Sequence, residues 1–402
     1  MAAVLAKATA WTLMSNAAMA ASQWAVLAVC ARLVSTAALG ELAWAMAVVL
    51  PLHLCAGLQQ RTAVATAGPG TVTEHIRVRL VTATVVALVA TIVACSAPAS
   101  VLAMTLWLAL ARGAEGIGEI ALGRQQRVNG FAAIAWAQAA RAVLQIVGAV
   151  VGVWLGHSAV AIAAGVAAGS VVALLAVELP LIARVPMLPD QSRRAWPLLV
   201  TLLPLGAGLG LYALATSVPR LVLEAQYGHA ALGLFAGVAA AVALLNHVVG
   251  AMTPGAATTM AEAGRAGDAA GIRRLVAQLA GLGIAAAWAS AMLSWFIGGP
   301  VLTLIFGRDF ADLGRDLAVL CGATAIDLAA LPVCVALTAL GVWREQLPML
   351  AVMVGVAALA AWFAIPHYGL AGVSLALAIA FCVRLVWATS LLRARLAQLA
   401  AS

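Results

Sequence analysis

The stretch that decides the fold is residues 159–183, AVAIAAGVAAGSVVALLAVELPLIA, which contains a single charged side chain, Glu178. A helix needs about 20 apolar residues to cross the hydrocarbon core of a bilayer. Similar runs recur along all 402 residues of the chain, which is 65% hydrophobic and only 9% charged. Soluble domains carry about 25% charged residues, so this composition excludes a soluble protein and predicts a polytopic membrane protein.

The apolar runs predict an all-α fold with about twelve transmembrane helices. The alternating segments of about ten residues that a transmembrane β-barrel requires are absent from the sequence. The predicted spans are 9–33, 41–66, 78–96, 99–122, 131–155, 159–183, 196–222, 231–260, 275–298, 316–340, 348–365 and 369–392.

The basic residues predict the orientation of these spans. With both ends of the chain in the cytoplasm, fourteen of the 22 Lys and Arg residues fall in inner segments and four on the outer side. Arg77 and Arg79 are counted among the inner ones. The positive-inside rule therefore predicts a multi-pass protein of the bacterial inner membrane with both termini cytoplasmic. The net charge of +8 follows from this bias, so no nucleic-acid partner is predicted.

An internal repeat predicts two halves. Residues 32–49, RLVSTAALGELAWAMAVV, and residues 220–242, RLVLEAQYGHAALGLFAGVAAAV, share Arg-Leu-Val followed by Ala-Ala-Leu-Gly. The predicted organisation is an N-terminal six-helix bundle (1–183), a cytoplasmic linker (184–195) and a C-terminal six-helix bundle (196–402). Six spans return the chain to its starting side, so the repeats are expected to be parallel, with a substrate site at their interface.

Several segments resemble a family of exporters. They are QWAVLAVCARLVSTAALGELAWAMAVVLPLHLCAGLQQRTAVATA (23–67), SVPRLVLEAQYGHAALGLFAGV (217–238), FGRDFADLG (306–314), ALGVWREQ (339–346) and IPHYGLAGVSLALAIA (365–380). Together they resemble bacterial polysaccharide flippases of the multidrug/oligosaccharidyl-lipid/polysaccharide exporter superfamily, and the likeness covers nearly the whole chain. The resemblance implies two pseudo-symmetric six-helix bundles in a V and the transport of lipid-linked sugar precursors across the inner membrane.

Polar side chains recur three, four or seven residues apart on three of the predicted spans, which places them on one face of each helix. Charges inside a bilayer are costly and usually face a cavity or a partner, so these faces predict one shared wet cavity. The side chains are Asn16 and Gln23 on the first span, Arg112, Glu115 and Glu119 on the fourth, and Gln138, Arg141 and Gln145 on the fifth.

Arginine is the basic residue that this chain uses, with 21 arginines and one lysine. Guanidinium is planar, always charged and a bidentate donor to phosphate, so arginines inside the spans are candidates for binding the diphosphate of a polyprenyl carrier. The alternative is that each arginine pairs with a carboxylate and only holds helices together. The predicted diphosphate and sugar cavity comprises Arg32, Arg61, Arg112, Arg141, Arg220, Gln138, Gln145, Asn16 and Gln23.

These arginines differ in how close the nearest acidic residue lies in the sequence. Arg112 lies one turn from Glu115, and Arg220 lies one turn from Glu224, so both could pair locally. Arg61 and Arg141 have no acid within a turn, and they are therefore expected to face the cavity.

Proton or sodium coupling would use a buried acid, and the candidates are Asp327, Glu119 and Glu178. Asp327 is the first choice because it stands alone in the middle of its span. Arg384 is expected to extend its charge to the membrane surface. The sequence lacks the His/Cys spacing of a metal site and the glycine-rich motifs of nucleotide-binding sites, so no metal and no cofactor other than a coupling ion is predicted.

The predicted function is a flippase, not an enzyme, that moves a polyprenyl-diphosphate-linked oligosaccharide by alternating access for assembly of O-antigen or exopolysaccharide. Expected partners are the lipid-linked oligosaccharide, membrane lipids, a polysaccharide polymerase and a chain-length regulator. One alternative is a multidrug or cation antiporter of the same superfamily, whose cavity should be rich in acids. Another is a membrane-embedded sugar polymerase or ligase, but the longest outer loop, 299–315, holds only Arg308 and Arg315 as bases.

Overall fold

A computed structural model describes residues 2–65, 71–183, 195–250 and 253–401, and the regular structure in these ranges is helical. This confirms the predicted all-α fold. The α-helices are α1 (Ala2–Leu33), α2 (Thr36–Gly57), α3 (Gln60–Ala65), α4 (Val72–Ala94), α5 (Ala99–Arg127), α6 (Phe131–Gly156), α7 (Ala159–Ala173), α8 (Leu179–Ala183), α9 (Ala195–Gly250), α10 (Thr253–Arg265), α11 (Ala269–Phe306), α12 (Gly314–Ala339), α13 (Gln346–Tyr368) and α14 (Leu370–Ala401).

Eleven helical segments in the described ranges are long and apolar enough to cross a membrane. One of them, Trp196–Ala243, has 48 residues. At 1.5 Å per residue it is about twice as long as a bilayer core is thick. It is broken at Gly228, whose backbone (φ 78°, ψ 178°) is not helical. Counting its two parts separately gives the twelve predicted spans, and the loop expected between spans seven and eight is reduced to a single kink.

The outward faces of the helices are apolar, as lipid requires. Large hydrophobic side chains such as Ile92, Trp154, Trp288, Phe296 and Leu304 are exposed. In water such surfaces would drive aggregation, whereas against lipid tails they need no cover.

The described chain divides into two compact units, Met1–Ala213 and Leu214–Ser402. The division falls inside α9. Residues 184–194 of the predicted linker lie outside the described residues, so the boundary at 184–195 stays a prediction.

The predicted repeat has a matching local structure in both copies. Ser35 ends the break between α1 and α2 and caps α2 by accepting from the backbone N–H of Ala38. Gly228 kinks α9 at the same distance before the second Ala-Ala-Leu-Gly. The leucine of that motif is fully buried in each copy, as Leu39 and Leu232. In both copies a helix break is followed by a buried leucine at the same position, and this supports the repeat independently of the shared residue types.

Glycines bring α6 and α7 into backbone contact. A Cβ on Gly148 would overlap the carbonyl of Gly165, and a Cβ on Gly165 would overlap the carbonyl of Gly148. Gly152 and Gly169 extend the same contact along the two helices. Close approach of small residues is how membrane helices gain packing energy without a hydrophobic effect. This contact sets the spacing of the polar side chains that α6 and α7 share.

Candidate functional site

Helix α5 carries the charged centre of the N-terminal unit. Arg112 Nη1 donates a hydrogen bond of 2.6 Å to Glu115 Oε2, which confirms the pair expected from their spacing. Glu119 follows one turn later on the same face of the helix.

Two glycines on α5 leave room for charges from neighbouring helices. A Cβ on Gly116 would overlap the guanidinium of Arg79, and a Cβ on Gly118 would overlap the carboxylate of Glu178. The segment 112–119, RGAEGIGE, therefore supplies charges and also accommodates charges from α4 and from the end of α7.

Arg141 of α6 is held by carboxylates of two other helices. Its Nε donates to Glu178 Oε1 at 2.7 Å, its Nη2 contacts the same oxygen, and its Nη1 lies 3.8 Å from Glu119 Oε1. The Arg141 and Glu178 side chains are 2% and 0% exposed. Arg141 was expected to face the cavity because no acid lies within one turn of it, but it is buried against an acid that is 37 residues away in the chain.

Glu178 is presented by an irregular turn. Leu174–Glu178 form one π-helical turn between α7 and α8. Such turns are rare and occur frequently at functional sites. Both Glu178 and Glu119, two of the predicted ion-coupling residues, thus lie in one network with Arg141.

Arg61 of α3 contacts Glu119 from the other side. Its Nη1 donates to Glu119 Oε2 at 3.0 Å, and its Nε donates to Gln126 Oε1 at 3.3 Å. Arg61, which was also expected to face the cavity, therefore has an acidic partner that is distant in the sequence. The Arg61 and Glu119 side chains are 32% and 31% exposed, so this ion pair is accessible whereas that of Arg141 is not.

A strained break places Arg61. Leu58 and Gln59, between α2 and α3, have φ values of 50° and 48°, which are uncommon for residues other than glycine. Leu58 is nevertheless buried in a cluster with Val78 and Leu198. Packing of its side chain stabilises the break and turns α3 toward α5.

Gln145 of α6 connects the charges to three other helices. It accepts from Ser22 Oγ at 3.0 Å, and its amide donates to Glu115 Oε1 at 2.7 Å and to Ser170 Oγ at 2.9 Å. A buried amide with all these partners is a satisfied structural element.

On α1 the polar contacts lie one residue before those predicted. Ser15 Oγ donates to Gln138 Oε1 at 2.7 Å, and Ser22 makes the corresponding contact to α6. Both serines are buried, whereas the predicted Asn16 is half-buried. Gln23 lines a cavity that is described next.

The N-terminal unit contains a cavity of about 520 Å³ including its opening. Three of the predicted residues, Gln23, Arg112 and Gln145, line it together with Glu115 and Ser22. Its other walls are apolar: Met19, Val26, Leu27, Leu42, Met46, Leu108, Ala111, Ala163 and Val166. The ion pairs of Arg61 and Arg141 lie farther along α5, toward Arg127.

Two basic side chains of this network, Arg79 and His53, were not among the predicted site residues. Arg79, assigned to an inner segment, lies on the eighth residue of α4 and is 3% exposed. Its Nη2 is 3.4 Å from both ring nitrogens of His53 on α2. His53 is also close enough to Arg112, Glu115 and Arg141 to interact with them electrostatically. Gly116, which lies opposite Arg79 on α5, was the feature of the sequence that could have indicated a side chain packed against this helix.

The C-terminal unit holds the remaining acidic candidate. Asp327 of α12 forms an ion pair with Arg384 of α14, and both side chains are buried. Asp327 therefore does not stand alone, and Arg384 does not reach the membrane surface. Their separation of 57 residues hid the pair from sequence analysis.

The two arginines of the repeat, Arg32 and Arg220, have different surroundings. Arg32 is in the last turn of α1 and is exposed. The guanidinium carbon of Arg220 is 6.0 Å from the centre of the Phe235 ring. Glu224, considered as a partner of Arg220, has its Oε1 3.5 Å from His229 Nδ1. In the described part of the chain no group of three His, Cys, Asp or Glu side chains could hold a metal ion.

Comparison with solved structures identifies the fold. A multidrug resistance MATE family transporter of the MOP superfamily, in an outward-facing conformation, aligns with a TM-score of 0.75 over 99% of this chain and 96% of its own, at 14% identity. The chain has the fold of the MATE transporters. A MOP superfamily transporter from Pyrococcus furiosus, described as having a binding pocket of reverse polarity that suggests a different function, aligns with a TM-score of 0.73 at 15% identity, over 98% of this chain and 96% of its own.

Sequence comparison gives a weaker likeness. The capsular polysaccharide biosynthesis protein CapF of Staphylococcus aureus is 22% identical over 184 residues, which span 46% of this chain and 46% of CapF. No family model matches the chain. With its long apolar helices and MATE fold, the protein is a many-span integral membrane protein.

Proposed function

We propose that this MATE-fold protein moves a polyprenyl-diphosphate-linked oligosaccharide across the bacterial inner membrane by alternating access. The observation that carries the proposal is the charge balance inside the N-terminal unit. Four arginines, Arg61, Arg79, Arg112 and Arg141, share one network with three carboxylates, those of Glu115, Glu119 and Glu178. A positive interior favours an anionic cargo over a cationic one.

Differences in exposure among the ion pairs indicate which arginine can contact the diphosphate. Breaking the buried pair of Arg141 would leave Glu178 as an uncompensated charge, which costs about 3–5 kcal/mol. The Arg61–Glu119 pair is about one-third exposed, so its net stability is small and an incoming phosphate can replace the carboxylate. Arg61 also stays oriented by Gln126 when Glu119 is displaced. We therefore assign the headgroup contact to Arg61, with Glu119 as the carboxylate that it releases.

The comparisons support this cargo in a limited way. CapF is a capsular polysaccharide biosynthesis protein, and its likeness covers about half of each chain. A solved neighbour is described as having a pocket of reversed polarity, which accords with an arginine-rich interior on this fold. The proposal includes inner-membrane localisation with both termini in the cytoplasm, and cooperation with a polymerase and a chain-length regulator.

The second candidate function is a multidrug or cation antiporter. It is favoured by Glu119, an acidic side chain that is one-third exposed, and by the multidrug transporter among the fold neighbours. A cationic drug would bind Glu119, and Arg61 would then be an obstacle. The two functions therefore predict opposite effects of removing the charge of Arg61.

The test uses a strain that lacks the gene and carries plasmid-borne variants. Under the proposal Arg61→Gln lowers surface polysaccharide, and lipid-linked repeat units accumulate on the cytoplasmic face, while Arg393→Gln, which removes an exposed arginine of α14, matches wild type. Membrane levels of each variant are measured by immunoblot. If the Arg61→Gln strain makes the full amount of surface polysaccharide and becomes more resistant to cationic drugs, the flippase function is rejected and the antiporter function is supported.

A further inference from the structure

Arg79 is a buried arginine of the N-terminal unit that forms no ion pair with a described residue. Its side chain is 3% exposed, and its Nε and Nη1 have no hydrogen-bond partner. Its Nη2 is 3.4 Å from both ring nitrogens of His53, so this contact is shared between the two nitrogens and directed at neither. Glu115 and Glu119 are near enough to act on Arg79 electrostatically, but neither contacts it.

A buried guanidinium whose N–H groups have no direct partner is unfavourable, because hydrogen bonds do not repay its desolvation. Arg112 and Arg141 on the neighbouring helices each have a carboxylate in direct contact. Arg79 instead faces a second basic side chain, His53. An anion would stabilise this arrangement, because it can accept hydrogen bonds from the guanidinium and from a ring N–H of the imidazole.

Two glycines allow neighbouring helices to pack closely against the guanidinium. Gly116 on α5 lacks the Cβ that would overlap it, and a Cβ on Gly57 of α2 would lie 3.3 Å from Arg79 Nη1. His53 is half-buried and is therefore the more exposed of the two side chains. Neither Arg79 nor His53 lines the cavity of the N-terminal unit. A ligand of Arg79 at this position has to be a small ion, because the close packing excludes a glycan.

We propose that a small inorganic anion, chloride or phosphate, binds between Arg79 and His53. The anion accepts from the N–H groups of Arg79 that have no partner and from a ring N–H of His53. It neutralises the surplus positive charge of the network and joins α2 to α4. This site goes beyond the proposed function, because the anion is a bound component of the N-terminal unit and not the cargo.

The test measures the melting temperature of the purified full-length protein in detergent at constant ionic strength. Sodium gluconate, whose anion is too large for the site, is replaced stepwise by sodium chloride or by inorganic phosphate. A bound anion stabilises the folded state in proportion to the logarithm of its concentration above Kd. Wild type is expected to melt higher in at least one of the two salts than in gluconate. Broadening of the ³⁵Cl NMR line gives an independent reading of chloride binding.

Three variants make the result specific. Arg79→Gln is expected to be at least as stable as wild type in gluconate and to lose the response to the anion. His53→Gln is expected to weaken the response. Arg77→Gln removes an exposed arginine two residues earlier on α4 and is expected to keep the full response. If Arg79→Gln does not fold, the proposal is tested by comparing His53→Gln, which should respond less to the anion, with Arg77→Gln, which should respond fully.

Equal responses in all variants, or no response and no ³⁵Cl broadening in wild type, would overturn the proposal. Stabilisation by phospholipid vesicles but not by free anions would also overturn it, in favour of a lipid headgroup. These readouts need no polysaccharide, so their failure leaves the proposed cargo untouched.

Discussion

Arg141 and Glu178 form a buried ion pair that joins α6 to the π-helical turn at the end of α7. The glycine contact between α6 and α7 brings the two helices together, and Gly118 of α5 leaves the space that the carboxylate occupies. Three helices thus meet at one pair of charges. The pair holds the helices together, and the adjacent, more exposed Arg61–Glu119 pair is the one that can exchange partners.

Removing one member of the buried pair is expected to destabilise the protein more than removing both. Arg141→Met or Glu178→Met alone leaves an uncompensated charge and should cost about 3–5 kcal/mol. The double variant should recover much of that loss, because two apolar side chains need no partner. Melting temperatures and the yield of monodisperse protein test this. A double variant whose loss equals the sum of the single losses would contradict the pairing.

A glycine series on α5 tests the space left for the buried charges. Gly116→Ala and Gly118→Ala are expected to destabilise the protein because their Cβ atoms would overlap Arg79 and Glu178. Gly113→Ala is the matched control, since its Cβ would lie 3.7 Å from that of Ala83. It should be neutral or stabilising by up to about 1 kcal/mol, the helix propensity difference.

Combining Gly116→Ala with Arg79→Ala sharpens this test. The atoms that obstruct the new Cβ belong to the Arg79 side chain, so shortening that side chain should restore the melting temperature. If Gly113→Ala, Gly116→Ala and Gly118→Ala change the melting temperature equally, Arg79 and Glu178 do not approach α5 as closely as described.

The break before α3 predicts a substitution that stabilises the protein. Gln59 has a φ of 48°, which glycine adopts without strain. Gln59→Gly is therefore expected to raise the free energy of unfolding, by about 1 kcal/mol at most. Gln59→Val should lower it, since a β-branched residue is disfavoured at positive φ. Melting curves of the two variants check the order. A valine variant as stable as the glycine variant would rule out the left-handed conformation.

In the C-terminal unit, Asp327 and Arg384 are expected to depend on each other. Asp327→Asn and Arg384→Gln should each lower stability, and the double variant should be more stable than either one. If Asp327 also couples an ion to transport, the double variant will fold and remain inactive. Recovery of folding and transport together would make the pair purely structural. Equal stability of the double variant and the worse single variant would argue against the ion pair.

The number of spans and the repeat could be predicted because both depend on local sequence. Apolar runs of sufficient length specify helices in lipid, and a shared Ala-Ala-Leu-Gly marks the same register in both copies. The Arg112–Glu115 pair was also predictable, since one turn of helix separates the two residues.

Partners of the other charges were not predictable, because they come from distant parts of the chain. Arg141 meets Glu178 and Asp327 meets Arg384 across 37 and 57 residues. Arg79 was counted on the cytoplasmic side because it is the second residue of the predicted span 78–96, whereas α4 begins at Val72 and places Arg79 about two turns inside the helix. A capping box, in which Thr71 and Glu74 bond each other's backbone, extends the helix at that end.

The contacts that α1 makes with α6 were missed for a different reason. Asn16 and Gln23 were chosen because they lie seven residues apart, and Gln23 does line the cavity. Ser15 and Ser22, also seven residues apart, make the buried contacts to α6 because small hydroxyls allow the helices to approach closely.

The most direct measurement of the central claim is translocation of a polyprenyl-diphosphate-linked oligosaccharide in liposomes that contain the purified protein. Wild type should move the labelled substrate, Arg61→Gln should reduce the rate about tenfold or more, corresponding to one lost charge-assisted hydrogen bond, and Arg61→Lys should lie between them. Arg393→Gln should match wild type. Equal rates for wild type and Arg61→Gln would contradict the account, as would a wild-type protein that moves cationic drugs and leaves the diphosphate substrate in place.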